Sequence, residues 1–267
     1  MSRPLVEIEN LSKAFTRKGG ERVLAIDSVD LTVDRSEFTV LIGPSGCGKT
    51  TILNIVAGFQ KQTSGTVRVG GKDVTGPSPE RGVVFQSFAL FPWKTVLGNV
   101  VFGLRMRGVP RRDREPIAQR YLELVGLDGF ERKFPHELSG GMQQRLGVAR
   151  VLANEPAVML MDEPFASVDA QTRRKLQEDL TAIFEANHPT VFFVTHDIEE
   201  AVFLADRVVV LSTRPSRVKE VVTVPLERPR HWRDALESSD YRRTVTYITD
   251  MLAGDESRAI PADLDTT

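Results

Sequence analysis

A single cysteine, Cys47, occurs among the 267 residues, which excludes an internal disulfide framework and fits a reducing compartment. No apolar run approaches the ~18 residues of a transmembrane helix, so the chain is not expected to span a membrane. The first fifteen residues, MSRPLVEIENLSKAF, hold no apolar core of signal-peptide length, and export by that route is not expected. An excess of one charge is also missing. The net charge is −1, which leaves no bulk attraction to nucleic acid or anionic lipid. There is no internal repeat, no sustained heptad and no low-complexity linker. What is present is ordinary for a globular chain: 41% hydrophobic and 27% charged residues, enough to bury a core in one large or two modest domains.

Strand and helix patterns alternate. LVEIENLSKAFTR and LAIDSVDLTV carry partial alternation and β-branched residues and read as strands, with a turn at Gly19–Gly20. EFTVLIG is a short apolar strand that runs into a glycine-rich loop. TILNIVAGF follows with helical spacing, Ile52, Ile55, Val56 and Phe59 on one face. Short strand-and-turn segments come after Gly65, and the stretch from about Val96 to Ala153 is mainly helical. Within it Ile117, Tyr121, Leu124 and Val125 fall together. Three continuous apolar runs, AVMLMDEP, TVFFVTHD and DRVVVLS, suit strands covered on both faces of a sheet. The pattern predicts an α/β core with a helical insertion. Past Pro225 come RPRHW, a modest helix in DYRRTVTYITDML, and a polar end expected to fray.

GPSGCGKTT, Gly43 to Thr51, fits G-x-x-x-x-G-K-[ST] between a strand and a helix. Gly43, Gly46 and Gly48 let backbone N–H groups turn inward onto phosphate oxygens, and the helix adds the positive end of its dipole. Pro44, Ser45, Cys47 and Thr51 complete the cradle. Lys49 can reach the β- and γ-phosphates, and Thr50 offers a hydroxyl to Mg²⁺. Cys47 reads as a small tolerated side chain with its backbone on phosphate; a redox role needs a lowered pKa.

Asp162 and Glu163 emerge from an apolar strand. Asp162 suits a metal ligand and Glu163 suits a group that polarises an attacking water. Taken alone they are equally a solvated acid pair opening a loop. His196, after VFFVT, can touch a γ-phosphate or be a hydrogen-bonded strand-end histidine. Gln86, after VVF, has the same two readings, with contact to metal and attacking water as the functional one. His136, His188 and His231 lack metal-ligand spacing. A second anion cradle stands at Ser139, Gly140 and Gly141, ahead of a helix whose face carries Met142, Leu146, Ala149 and Leu152.

GPSGCGKT, VVFQ, LSGGMQQR, VMLMDEP, SVDA and VTHD, in this order, resemble an ATP-binding cassette ATPase, the motor subunit of ABC transporters. The resemblance spans roughly residues 5 to 225. It implies a P-loop NTPase core with an antiparallel β subdomain and a helical subdomain inserted at about residues 90–155. Residues 1–225 form the nucleotide-binding domain, and 226–267 a short C-terminal helical extension and tail. It implies ATP and Mg²⁺, with Thr50, Gln86 and Asp162 on the metal and Glu163, His196 and Gln86 in catalysis. Phe15 stacks on adenine, where many relatives have tyrosine. Ser139, Gly140, Gly141 and Gln143 form a γ-phosphate cradle used in trans by a second copy, in a head-to-tail dimer. Asp169 sits at that interface; Val168 replaces the more usual leucine beside it.

The segment SFALFPWKTVLGNVVFGL, with Phe91 and Trp93, implies a face that grips transmembrane permease subunits, although both aromatics can equally be core. With one cassette and no membrane span, the resemblance narrows to a separate importer ATPase, peripheral on the cytoplasmic face of the inner membrane. GPSPERGVVFQ and LFPW look most like the nitrate/sulfonate/taurine importer group, in which an external solute-binding protein feeds the permease. The alternatives are another importer or lipid-trafficking ATPase, or a non-transport cassette ATPase. No nucleic-acid partner is expected.

Overall fold

The computed structural model describes residues 3–16, 20–87, 89–166 and 168–256. β-branched and alternating segments form β1 (Val6–Thr16) and β2 (Arg22–Val33). The apolar FTVLI forms β3 (Phe38–Ile42), and α1 (Lys49–Ala57) follows the glycine loop. Then come β4 (Ser64–Val69), β5 (Lys72–Asp73) and β6 (Arg81–Val84). The helical stretch resolves into α2 (Val96–Met106), α3 (Arg111–Leu124), a 3₁₀ turn at Pro135–Glu137, and α4 (Gly140–Leu152). Next are β7 (Val158–Asp162), α5 (Ala170–Asn187), β8 (Thr190–Val194) and α6 (Ile198–Leu204). The chain ends with β9 (Arg207–Leu211), β10 (Val218–Thr223), α7 (Trp232–Glu237) and α8 (Ser239–Glu256).

The strands make two sheets. One is four-stranded, β2-β1-β4-β5, and antiparallel. The other is six-stranded, β10-β9-β3-β8-β7-β6, and parallel except for the edge strand β10. The period of two divides the parallel strands cleanly. Val40, Ile42, Met159, Met161, Phe193, Val208 and Val210 join the core shared with α2–α6. Leu41, Leu160, Phe192, Val194 and Val209 face α1 and the antiparallel sheet. Both faces are covered, which explains why these strands are apolar without alternation.

Three readings need correction. Phe59 lies beyond the C-cap Gly58, is half exposed, and stacks on Phe85 instead of extending the α1 face. In α3 the inward residues are Ala118, Tyr121 and Leu122, with Val125 at the C-cap, whereas Leu124 points out. The tail past Pro225 is more than a modest helix. It forms α7 and α8, and Trp232, Ala235, Tyr241 and Ile248 are buried in the main core. Gly19 of the expected turn and residues 257–267 of the polar end lie outside the described residues.

Gly65, at the start of β4, shows how tightly the antiparallel sheet is closed. Its φ is +86°, and a Cβ there would stand 2.3 Å from the Asn10 carbonyl oxygen. Gly65→Ala is therefore expected to cost at least ~2 kcal/mol of stability. Gly70→Ala also has positive φ but meets no heavy atom within 4 Å, so it should cost less. Urea titration of the two variants checks the order.

Candidate functional site

Register sets the site. Leu41 pairs with Val194, and Val194 pairs with Asp162, so β3, β8 and β7 end in one row. The loops leaving them hold Gly43–Gly48, Thr195–His196 and Glu163. A crevice beyond the carboxyl ends of parallel strands is the usual ligand position in such sheets.

Gly48 is the N-cap of α1 with φ 112°, and no side chain caps that end. The N–H groups of the first turn, Lys49 to Thr51, thus have no side-chain cap, an arrangement able to accept an anion. Gly46 has φ +74°, and nothing lies within 4 Å of its would-be Cβ. Cys47 is buried, and burial raises its thiol pKa. It packs in the core beneath the loop, which argues for the structural reading over a redox one. Lys49 is buried and donates Nζ–H to the carbonyls of Gly43 (2.7 Å) and Pro44 (3.2 Å), closing the loop on itself. Two residues without a sequence signal brace the loop from outside: Arg214 donates to the Gly46 carbonyl at 2.8 Å, and Ser216 to the Cys47 carbonyl.

Thr50 Oγ1 donates to Asp162 Oδ1 at 3.0 Å, 112 residues away. Burial raises the Asp162 pKa, and the Thr50 hydrogen bond opposes that rise. Hydroxyl and carboxylate together are the hard oxygen donors that Mg²⁺ prefers. Among the described residues no group of three or more His, Cys, Asp or Glu could hold a metal by itself.

Glu163 has φ 43°, a left-handed conformation rare for a non-glycine residue, and its N–H donates to the Val194 carbonyl at 2.9 Å. This turn aims the side chain back at His196, whose Nδ1 donates to Glu163 Oε2 at 3.0 Å. Asp197 caps α6, accepting from Glu200 N, so the segment carrying His196 is tied down from the C-terminal side.

Among the described residues no hydrogen bond or ion pair joins the remaining candidates to this cluster. Gln86 is exposed, just past β6; among the described residues no hydrogen bond links it to Thr50 or Asp162. Phe15 is 41% exposed near the end of β1, with the Lys13 ammonium 5.1 Å from its ring centroid. Ser139 caps α4, accepting from Met142 N, and Gly140 is exposed with open space around it. Gln143 donates to the Leu138 carbonyl at 3.2 Å. Asp169 caps α5 and is exposed; the Thr172 backbone N–H holds its carboxyl below the usual range. Among the described residues no hydrogen bond or ion pair joins Ser139–Gly141 or Asp169 to the glycine loop. The glycine loop and the Ser139–Gly141 turn thus stand at the starts of two different helices, α1 and α4.

A separate groove of about 350 Å³ opens on the helical side, lined by Phe91, Phe102, Met106 and Arg150 among others. Trp93 stands beside it, 71% exposed, its ring centroid 5.7 Å from that of Phe91. Of the two aromatics, Phe91 packs against Phe102 at 4.6 Å and Trp93 is not core.

The model of the ABC transporter family matches residues 26–166. An uncharacterised ABC transporter ATP-binding protein of Methanocaldococcus jannaschii is 52% identical over 91% of this chain and 90% of that protein. The taurine import ATP-binding protein of Chromobacterium violaceum is 46% identical over 94% of this chain and 88% of its own length. The nitrate import ATP-binding protein of a Synechocystis strain is 45% identical over 83% of each. Among solved structures, the dimeric form of a bacterial ABC transporter cassette superposes with a TM-score of 0.72 at 31% identity, covering 83% of this chain and all of that one. A post-hydrolysis state of the same cassette, bound to ADP and phosphate, gives 0.70. With the family model matched over residues 26–166 and relatives aligned over most of both chains, the chain belongs to the ABC transporter family as one of its ATP-binding, ATP-hydrolysing cassettes.

Proposed function

We propose that this cassette is the motor subunit of an importer for a small anion, and that hydrolysis occurs where β3, β7 and β8 end. The observation that carries the site is the pair of contacts at that row: Thr50 on Asp162, and His196 on Glu163. Residues 43–51 cradle the phosphates of ATP, and the Lys49 ammonium turns from the loop carbonyls to the β- and γ-phosphates. Thr50 and Asp162 hold Mg²⁺, with Gln86 reaching it from the neighbouring strand end. When bound, the metal offsets the negative charge of the β- and γ-phosphates. Glu163 orients a water and takes its proton as the oxygen attacks the γ-phosphorus, releasing ADP and phosphate. His196 holds Glu163 in place and faces the γ-phosphate. Phe15 supplies an open face for adenine.

The two unconnected cradles support a head-to-tail dimer. In it Ser139, Gly140, Gly141 and Gln143 of one copy cover the γ-phosphate on the other, with Asp169 at the seam. One glycine loop and one signature per chain make two equivalent sites under two-fold symmetry. Residues 1–225 form the nucleotide-binding unit, with the helical subdomain at about 90–155 facing the permease. Its groove beside Trp93 is apolar and suits a helix end of a transmembrane subunit. The motor then lies on the cytoplasmic face of the membrane, and an external solute-binding protein delivers the solute. Relatives named for taurine and nitrate import support a sulfonate, taurine or nitrate as that solute.

Trp93→Ala tests the docking face. Loss of the exposed ring should release the permease subunits during co-purification in detergent while ATPase activity of the isolated cassette stays near wild type. A knockout strain should fail to grow with taurine, alkanesulfonate or nitrate as sole sulfur or nitrogen source. Normal growth on all three rejects the solute class, and loss of ATPase in Trp93→Ala rejects the docking role.

A further inference from the structure

A buried chain of hydrogen bonds joins the C-terminal extension to the hydrolysis site. Trp232 opens α7 with its ring stacked on Phe203 of α6, centroids 4.1 Å apart and planes at 8°. Its Nε1–H donates to Gln177 Oε1 at 3.0 Å, and Gln177 Nε2 donates to Glu200 Oε1 at 2.8 Å. The Thr195 hydroxyl hydrogen-bonds the same carboxyl and accepts from Asp197 N at 3.1 Å. Thr195 directly precedes His196. Gln177, Thr195 and Glu200 are each less than 5% exposed, and Trp232 is 6% exposed.

Packing alone does not call for this arrangement. An apolar side chain at position 200 would fill the space without desolvating a carboxyl. Burial pushes the Glu200 pKa up to about 7, against the hydrogen bonds from Thr195 and Gln177; Asp197 adds to the rise and Arg173 opposes it. What the carboxyl supplies is direction: it grips Thr195 and is itself gripped by Gln177. A fully engaged buried network of this kind has few alternative arrangements. Independently, α8 reaches the same site. Thr249 and Leu252 face Pro44, Ser45 and His196 across a cavity of about 310 Å³.

We propose that Trp232, Gln177 and Glu200 are positioning residues that hold the Thr195–His196 turn so that His196 meets Glu163, which makes the C-terminal extension a working part of the hydrolysis site. This rests on the reading of Glu163 and His196 as the hydrolysis centre. With the extension docked, the turn has one position and the imidazole stays 3.0 Å from Glu163. Without the Trp232 donor, Gln177 is free to rotate, Glu200 loses its fixed partner, and the turn relaxes.

The test uses the full chain. Trp232→Phe keeps a ring on Phe203 and removes the N–H. Affinity for a non-hydrolysable ATP analogue should be unchanged, while kcat falls at least about fivefold, because small misplacements are costly at a reacting centre. Glu200→Leu should behave the same way. Glu200→Gln keeps an acceptor for Gln177 and a donor for Thr195, and should restore most of kcat. In a His196→Ala background, Trp232→Phe should cause no further fall, since the two act through one step. Gln177→Met, which keeps the volume and breaks both bonds, serves if Trp232→Phe fails to fold. Wild-type kcat in Trp232→Phe, alongside a loss in His196→Ala, overturns the positioning role and leaves the hydrolysis centre standing. An equal loss with and without His196 also overturns it, as general packing. Wild-type kcat in His196→Ala removes the hydrolysis centre itself, and this proposal with it.

Discussion

Lys49→Ala is expected to abolish measurable ATP hydrolysis and to weaken ATP binding by roughly 10²-fold or more, the scale of losing a buried cation from its charged partner. The ammonium is buried and already desolvated, held by the Gly43 and Pro44 carbonyls in the loop that curls around it. Phosphate oxygens are stronger acceptors than those carbonyls, so transfer of the ammonium to ATP is favourable. Alanine removes the only side-chain cation within residues 43–51. It also removes two bonds that close the loop, so a melting curve should accompany the titration. A folded variant that binds and hydrolyses ATP like wild type would reject the phosphate cradle.

Glu163→Gln separates binding from chemistry. The amide keeps the size of the side chain, and its carbonyl can still accept from His196 Nδ1. What it loses is the basic oxygen that takes the water proton. ATP affinity should hold, hydrolysis should fall by roughly 10²-fold or more, and ATP-bound dimers should accumulate on size-exclusion chromatography. The left-handed backbone at Glu163 makes this residue a strained one, kept in place by its bond to the Val194 carbonyl. Glutamine adopts that conformation at similar cost, so the comparison isolates the carboxylate. Wild-type turnover would leave Glu163 a loop residue with a hydrogen bond and no chemical role.

Much of the frame was readable because periodicity reports burial. The runs FTVLI, VMLM, TVFFV and RVVVL are apolar throughout, and each is a parallel strand covered on both sides. The edge strand β10 carries no such run, because VKEVVT is half polar, as an edge facing solvent allows. Leu124 and Phe59 depart from the predicted stripe for a different reason. Periodicity identifies a stripe, but a helix end and a neighbouring ring decide which member of the stripe turns inward. The extension leaves a weak sequence signal because its anchors, Trp232 and Tyr241, are single aromatics in polar surroundings, and their burial depends on contacts with distant segments such as Phe203 of α6 and Gln177 of α5.

The same division holds at the site. The sequence by itself determined which residues can bend around phosphate, because positive φ at Gly46 and Gly48 is a property of glycine, and the loop's chemistry is contained within nine consecutive residues. It also determined that acids, a histidine and a glutamine stand just beyond apolar strands. Only the tertiary structure decided which of them meet. Thr50 and Asp162 are 112 residues apart, and Glu163 and His196 are 33 apart. Strand order brings β3, β8 and β7 side by side, and register levels their ends; neither is written in a local pattern. Among the described residues the tertiary structure forms no hydrogen bond from Gln86, Ser139 or Asp169 to that cluster: Gln86 stands just past β6, the strand next to β7, while Ser139 and Asp169 cap α4 and α5. Non-local contacts depend on how faces are paired across the whole fold, and pairing is settled by the shared core, not by any one segment.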